Sequence, residues 1–307
     1  MLKRSIIIMN KYKWSIPVAL LFIWTGCKHV SIMEKPDLYK AAEDVVEDDP
    51  ITTKDNGFKS LSERANYKLV WTDEFNGMEL DTSKWSYEVN GSGMGNNELE
   101  YYVDSKANVW QRHGYLTIKA IKENYKGMAY TSGRINSRLK GDWKYGRFDI
   151  RAKVPVQQGI WPAIWMLPTD LFYGTWPLSG EIDIMESVGH EPKRLFGTLH
   201  YGPPWPNNKN TGNPVSITEG DLYSDFHVYS VEWEENEIRW YLDDVLYSTK
   251  TRKDLEPWPW PFDQRFHMIL NLAVGGQLPG PPDETTEFPK YMFVDYVRVF
   301  QKQVPIN

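Results

Sequence analysis

The chain has a single cysteine, Cys27, among 307 residues, so no intramolecular disulfide is available and the fold must stand on its core. It has little histidine: six are scattered, and none pair at metal-ligand spacing. There is no His/Cys metal cluster and no glycine-rich phosphate loop. Basic excess is also missing. The formal net charge is −6, which disfavours nucleic acid and polyanionic substrates as partners. Long amphipathic helical patterns are absent from the whole length. So is any apolar run long enough to stay in a bilayer as a permanent helix.

What is abundant is tryptophan, fourteen in all. Most tryptophans in proteins fill cores, but the flat apolar ring also stacks on sugar rings. Three carboxylates are interleaved with apolar residues in one strand-length segment, Glu181-Ile182-Asp183-Ile184-Met185-Glu186. Such dense charge in a strand-length segment is costly, because like charges repel and burial disfavours ionisation. Side chains alternate along a strand, so Glu181 and Asp183 share a face. Glu186, offset by five, joins them only if one residue is bulged. Met185 is the expected extra residue, with Ile182 and Ile184 pointing into a core.

On one surface, two glutamates and an aspartate suit glycoside hydrolysis. Carboxyl groups about 5–5.5 Å apart serve a retaining mechanism and wider pairs an inverting one. To bring the glutamates that close, the sheet must curve. Taken alone, the pattern is equally compatible with a solvated acidic strand face or a cation site.

Residues 1–27 read as an export signal. Lys11 and Lys13 precede an apolar run from Trp14 to Trp24, which ends in Trp24-Thr25-Gly26-Cys27. That ending resembles a bacterial lipobox, with Cys27 as the lipidated residue. The protein is then expected in the cell envelope, touching membrane only through its anchor, with a secreted protein as the alternative. Residues 28–65 read as a flexible acidic tether, including Glu43-Asp44-Val45-Val46-Glu47-Asp48-Asp49-Pro50. Residues 66–303 form one folded domain. Phe148–Val154 and Phe293–Phe300 read as half-buried strands, and Ile238–Tyr247 as a hairpin around Asp243-Asp244. Frequent Gly/Pro turn signals favour an all-β two-sheet sandwich or jelly roll.

Six landmarks in order carry a family resemblance. They are Trp71-Thr72-Asp73-Glu74-Phe75, Gly95 to Tyr102, Tyr145-Gly146-Arg147-Phe148, Gly159 to Pro168, Glu181 to Glu186, and Leu270 to Gly276. From about Leu69 to Phe300 the chain resembles glycoside hydrolase family 16, laminarinase-like endo-β-1,3-glucanases in particular. The resemblance implies a curved, concanavalin-like β-jelly roll with its cleft across the concave sheet. It implies Glu181 as nucleophile, Glu186 as general acid/base and Asp183 as the assisting residue. Trp161, Trp165 and Trp176 are expected to line glucose subsites, and Asn97, Arg134, His200 and Asn271 to be polar cleft positions. Glu74, Gly114 and Asp295 fall where relatives hold a structural calcium, while no cofactor is implied for catalysis. The expected partner is a laminarin-like β-glucan and the expected state a monomer. Agarose, porphyran or mixed-linkage glucan, and a non-hydrolytic glycan-binding role, stay open as alternatives.

Overall fold

A computed structural model describes residues 57–303. Cys27, the export signal and the tether up to residue 56 lie outside the described residues. Along the chain the strands are β1 Tyr67–Asp73, β2 Ser86–Tyr87, β3 Glu100–Tyr102, β4 Val109–Arg112, β5 Tyr115–Tyr125 and β6 Met128–Ser132. Next come β7 Arg134–Asn136, β8 Asp142–Trp143, β9 Gly146–Lys153, β10 Ile160–Pro168, β11 Glu181–Glu186, β12 Arg194–Tyr201 and β13 Lys209–Gly212. The last are β14 Val215–Ser216, β15 His227–Trp233, β16 Glu237–Leu242, β17 Val245–Thr251, β18 Phe266–Val274 and β19 Lys290–Lys302. Two short 3-10 turns, Gly93–Gly95 and Arg252–Leu255, are the helical elements among the described residues.

These strands form the two sheets of a β-jelly roll. The nine-stranded sheet runs β13-β12-β11-β10-β18-β7-β2, with β14 beside β12 and β8 beside β18. The ten-stranded sheet runs β17-β16-β15-β9-β19-β5-β6-β3, with β1 on β19 and β4 on β5. Period-two alternation decides what lies between them. From the nine-stranded sheet, Ile164, Met166, Ile182, Leu199, Leu270 and Leu272 face the shared core. The residues between them, such as Trp165, Asp183, His200 and Asn271, line a cleft on the other face. Trp85, Trp143, Trp233 and Trp240 are core fillers, so the tryptophans divide between two uses.

The hairpin expected around Asp243-Asp244 is present as β16–β17, and both turn residues have positive φ, 51° and 63°. Such a turn matches the twist of its flanking strands. Two expectations change. The strands around Phe148–Val154 and Phe293–Phe300 are buried on both faces rather than half-buried: Asp149, Arg151 and Asp295 are among the most buried polar residues. The cause is the segment 57–65, expected as tether, which lies against the ten-stranded sheet. Gly57 bridges Phe226, and the Phe58 carbonyl accepts from Arg151 Nε at 2.7 Å. Ser60 N donates to Tyr296 Oη at 2.9 Å, and Arg64 Nη2 reaches Asp149 at 2.8 Å and Asp244 at 2.9 Å.

Candidate active site

A cleft of about 970 Å³ crosses the open face of the nine-stranded sheet, and Glu181, Asp183 and Glu186 lie on its floor. The register explains how all three face it. Against β12, Asp183 pairs with Thr198 and Glu186 with Phe196, so Ile184 and Met185 together oppose the single Gly197. Against β10, Met185 pairs with Ile164 and Asp183 with Trp165, which leaves Ile184 as the unmatched residue. The bulge is therefore where the pattern required it, but the extra residue on the β10 side is Ile184 rather than Met185. Both are buried in the core.

The two glutamates have different partners. Trp176 Nε1 donates to Glu181 Oε2 at 2.8 Å, and Trp161 Nε1 donates to Glu186 Oε1 at 3.1 Å. His200, paired in register with Glu181, places Nε2 3.2 Å from Asp183 Oδ2 and 3.8 Å from Glu181 Oε1. Burial, reinforced by the charge of Asp183, raises the Glu181 carboxyl to about 8, against the opposing pull of His200 and the Trp176 N–H. Burial and then Asp183 also hold Glu186 well above the ordinary glutamate value. For His200, burial pulls downward, but the nearby carboxylates of Glu181 and Asp183 prevail and raise it to about 10. The cluster thus keeps a proton on an acid near neutral pH and places a cation beside Asp183. Glu181, Asp183 and His200 also bring donor atoms within 4.8 Å of one another, a spacing open to a metal ion.

Trp161 and Trp165 share the cleft face with Ala163 and Leu167, as residues two and four apart on one strand must. The Arg134 guanidinium lies 4.7 Å from the Trp165 ring centroid and is held by Glu88 through Nε at 2.6 Å. Trp165 Nε1 donates to Asn271 Oδ1 at 2.7 Å, and Asn271 Nδ2 donates to Tyr102 Oη at 3.1 Å. Trp176 and His200 also line the cleft. Asn97 does not: it lines a separate small cavity with Leu99, Gly276, Gln277 and Pro281. Its neighbour Asn96 is the asparagine at the cleft, beside Glu98. The segment is fixed there because Leu99 N donates to Val274 O at 2.8 Å and Gln277 N to Asn96 O at 2.8 Å.

Sequence reasoning missed Phe196, Thr198, Trp205 and Asn210 as cleft residues. Phe196 and Thr198 had a signal, since they precede His200 by four and two on β12. Trp205 had one too: an aromatic within Gly202-Pro203-Pro204-Trp205-Pro206 has no strand to bury it.

The calcium expected at Glu74, Gly114 and Asp295 meets a different arrangement. Both Glu74 oxygens accept from Arg298 at 2.9 Å, and the Thr72 hydroxyl adds a bond of 2.7 Å. Asp295 Oδ2 accepts from Arg151 Nη1 at 2.7 Å. Each carboxylate already has a guanidinium countercharge, so these side chains do not fit a dication cage as arranged. Gly114 sits at φ 75° in the tight β4–β5 turn.

Comparison with known proteins agrees with this geometry. The family model for glycosyl hydrolases family 16 matches residues 96–297. The chain is 43% identical over 265 residues to glucan endo-1,3-beta-glucosidase A1 of Niallia circulans, covering 78% of this chain but 38% of that protein. It is 45% identical over 246 residues to the beta-glucanase of Rhodothermus marinus, covering 77% of this chain and 86% of that one. The X-ray structure of the laminarinase from Rhodothermus marinus superposes with a TM-score of 0.73 at 43% identity, over 78% of this chain and 98% of that chain. A carboxylate trio on a bulged strand, a cleft across one sheet of a jelly roll and these matches lead to one assignment: the chain belongs to glycosyl hydrolases family 16.

Proposed function

We propose that the protein is a retaining endo-hydrolase of 1,3-β-D-glucosidic linkages in laminarin-like glucans. The observation that carries this reading is the convergence of Glu181, Asp183 and Glu186 on one cleft floor, each glutamate held by a different tryptophan N–H. The family assignment and the named activities of the relatives support the linkage. In the first step, a Glu181 oxygen attacks the anomeric carbon while Glu186 gives its proton to the departing glycosidic oxygen. The bond to the leaving sugar breaks and a glycosyl ester forms on Glu181. In the second, Glu186, now a carboxylate, takes a proton from water. The water oxygen bonds to the anomeric carbon and frees Glu181. Two inversions give net retention. Asp183, paired with His200, sits between the glutamates and keeps both from ionising together.

Time-resolved NMR of laminarin products tests the mechanism. The β-anomer appears first on this reading, and an initial α-anomer rules it out. Reducing-sugar release from laminarin, lichenan, agarose, porphyran and carrageenan tests the substrate. Binding of laminarin without any release marks a glycan-binding protein instead. We also propose a lipid anchor at Cys27, on the sequence pattern alone. Labelling with a fatty-acid analogue that Cys27→Ser abolishes is the matching test.

A further inference from the structure

Trp205 is 76% exposed, yet it is one of the cleft-lining residues. An indole left in water is unfavourable unless something covers it. Its backbone is fixed from both sides. Tyr201 pairs with Lys209 across β12 and β13, which closes the loop at its base. Asn207 N donates to Pro204 O at 3.1 Å within it, and Pro204 and Pro206 restrict the residues flanking Trp205. The ring is therefore presented on a rigid support, so covering it costs little ordering entropy. Asn208 and Asn210 line the cleft beside it. Asn210 pairs in register with His200, which pairs with Glu181, so the three strands place these residues in one row.

Position along the cleft separates Trp205 from Trp161 and Trp165. Arg134, Asn271, Trp165 and Trp161 stand on β7, β18 and β10, on one side of the catalytic strand. His200, Asn210 and Trp205 stand on β12, β13 and the loop joining them, on the other side. Two inter-strand steps separate β11 from β13, roughly 10 Å. A sugar over Trp205 is thus not the sugar being cleaved. An enzyme that cuts within a chain must hold it on both sides of the cut, and among the cleft-lining aromatic residues Trp205 is the most exposed.

We propose that Trp205, with the Asn208 and Asn210 amides, forms a distal glucosyl-binding position that captures long chains and favours internal cleavage. This rests on the glucanase reading above. The apolar face of a glucose ring covers the indole, while the amides bond its hydroxyls, the usual pairing of one stacking surface with a few placed polar groups.

The test is a comparison of the native enzyme, Trp205→Ala and Trp205→Phe on laminari-oligosaccharides of increasing length and on laminarin, with thermal melting as a folding control. Trp205→Ala should raise KM for long chains roughly tenfold, as loss of one stacking contact does, and leave kcat unchanged. Constants for short oligosaccharides should stay the same, and Trp205→Phe should recover much of the loss. A change equal at all lengths, or none at any length, overturns the proposal. Calorimetric binding of long oligosaccharides to Glu181→Gln, with and without Trp205→Ala, reads the same contact without turnover. If the native enzyme releases no sugar from laminarin, the glucanase reading fails, and the binding arm still judges Trp205. A dimer of the native protein that Trp205→Ala dissociates would show that a second copy covers the ring, and would also overturn it.

Discussion

Glu181 and Glu186 are the same residue type on the same strand, and their surroundings make them different. Glu181 has a close indole N–H and lies 3.8 Å from the His200 ring, so of the two it gives up its proton more readily. Glu186 has one longer indole bond, and burial and Asp183 hold its proton on. A general acid must be protonated to act, so kcat/KM should fall on the alkaline side as Glu186 ionises. With Glu186→Gln and an aryl glucoside whose leaving group needs no proton, glycosyl-enzyme formation should persist and lose that alkaline limb; a pH–rate series checks it. Stability carries a second sign. The Glu181 carboxyl moves from 4.5 to about 8 on folding, so its folded form binds a proton more tightly. The stabilisation this gives is fully present below 4.5 and is lost as pH rises through 8. Glu181→Gln cannot ionise, so its melting temperature should exceed the native value at pH 8 and match it near pH 4. Each kcal/mol of difference is worth roughly 2–4 °C in a domain of this size.

At the scale of the element, the bulge in β11 is held from behind. Trp240 of β16, in the opposite sheet, donates Nε1 to the Asp183 carbonyl at 2.8 Å. Gly197 makes room, since a Cβ there would stand 2.4 Å from Trp240 Cδ1 and 2.7 Å from its Nε1. Gly197→Ala must therefore push the indole off the carbonyl, and Trp240→Phe removes the donor with less change of shape. Either should cost about 1–3 kcal/mol for the orphaned buried carbonyl. Both should also lower kcat roughly tenfold at temperatures well below melting, because the acids shift on their strand. Denaturant unfolding and steady-state kinetics on the same samples separate the two effects. The need for a bulge was legible from the odd offset between Asp183 and Glu186. That Ile184 is unmatched was not, because Ile184 and Met185 are both apolar and both fit the core. The Trp240 contact joins residues 57 positions apart, which no local pattern reveals. At Asn96-Asn97 the residue types alone do not say which of two adjacent amides faces the cleft; the turn, with Asn97 at φ 59°, decides it.

Over the whole molecule, the nine-stranded sheet carries the chemistry and the ten-stranded sheet carries an ion-pair layer. Arg64 and Arg147 both bond Asp149, and Arg147 also reaches Glu232 and Asp244. Alternating polar residues on β9 and β19 suggested a solvated face, whereas their charges are paired beneath residues 57–65. Local periodicity reads polarity and cannot see a distant segment that covers it. That segment was assigned to the tether because it is polar, but its polar groups, Ser60 and Arg64, are what fasten it. Two shortened chains test the boundary, one beginning at Gly57 and one at Asn66. The longer keeps Arg64 on Asp149, whose side chain is fully buried. Asp149 keeps Arg147, so losing its charged hydrogen bond to Arg64 costs about 1.5–3 kcal/mol, and the shorter chain should melt at least ~3 °C lower. Residues 57–65 line no part of the cleft, so kcat and KM at 25 °C should agree within about twofold, the range of surface changes remote from a site. Arg64→Ala in the full chain separates charge from coverage. It leaves the segment in place over Asp149 with Arg147 as its remaining cation partner. If the layer is held chiefly by that ion pair, the single substitution should reproduce most of the loss; if by coverage, deletion alone should.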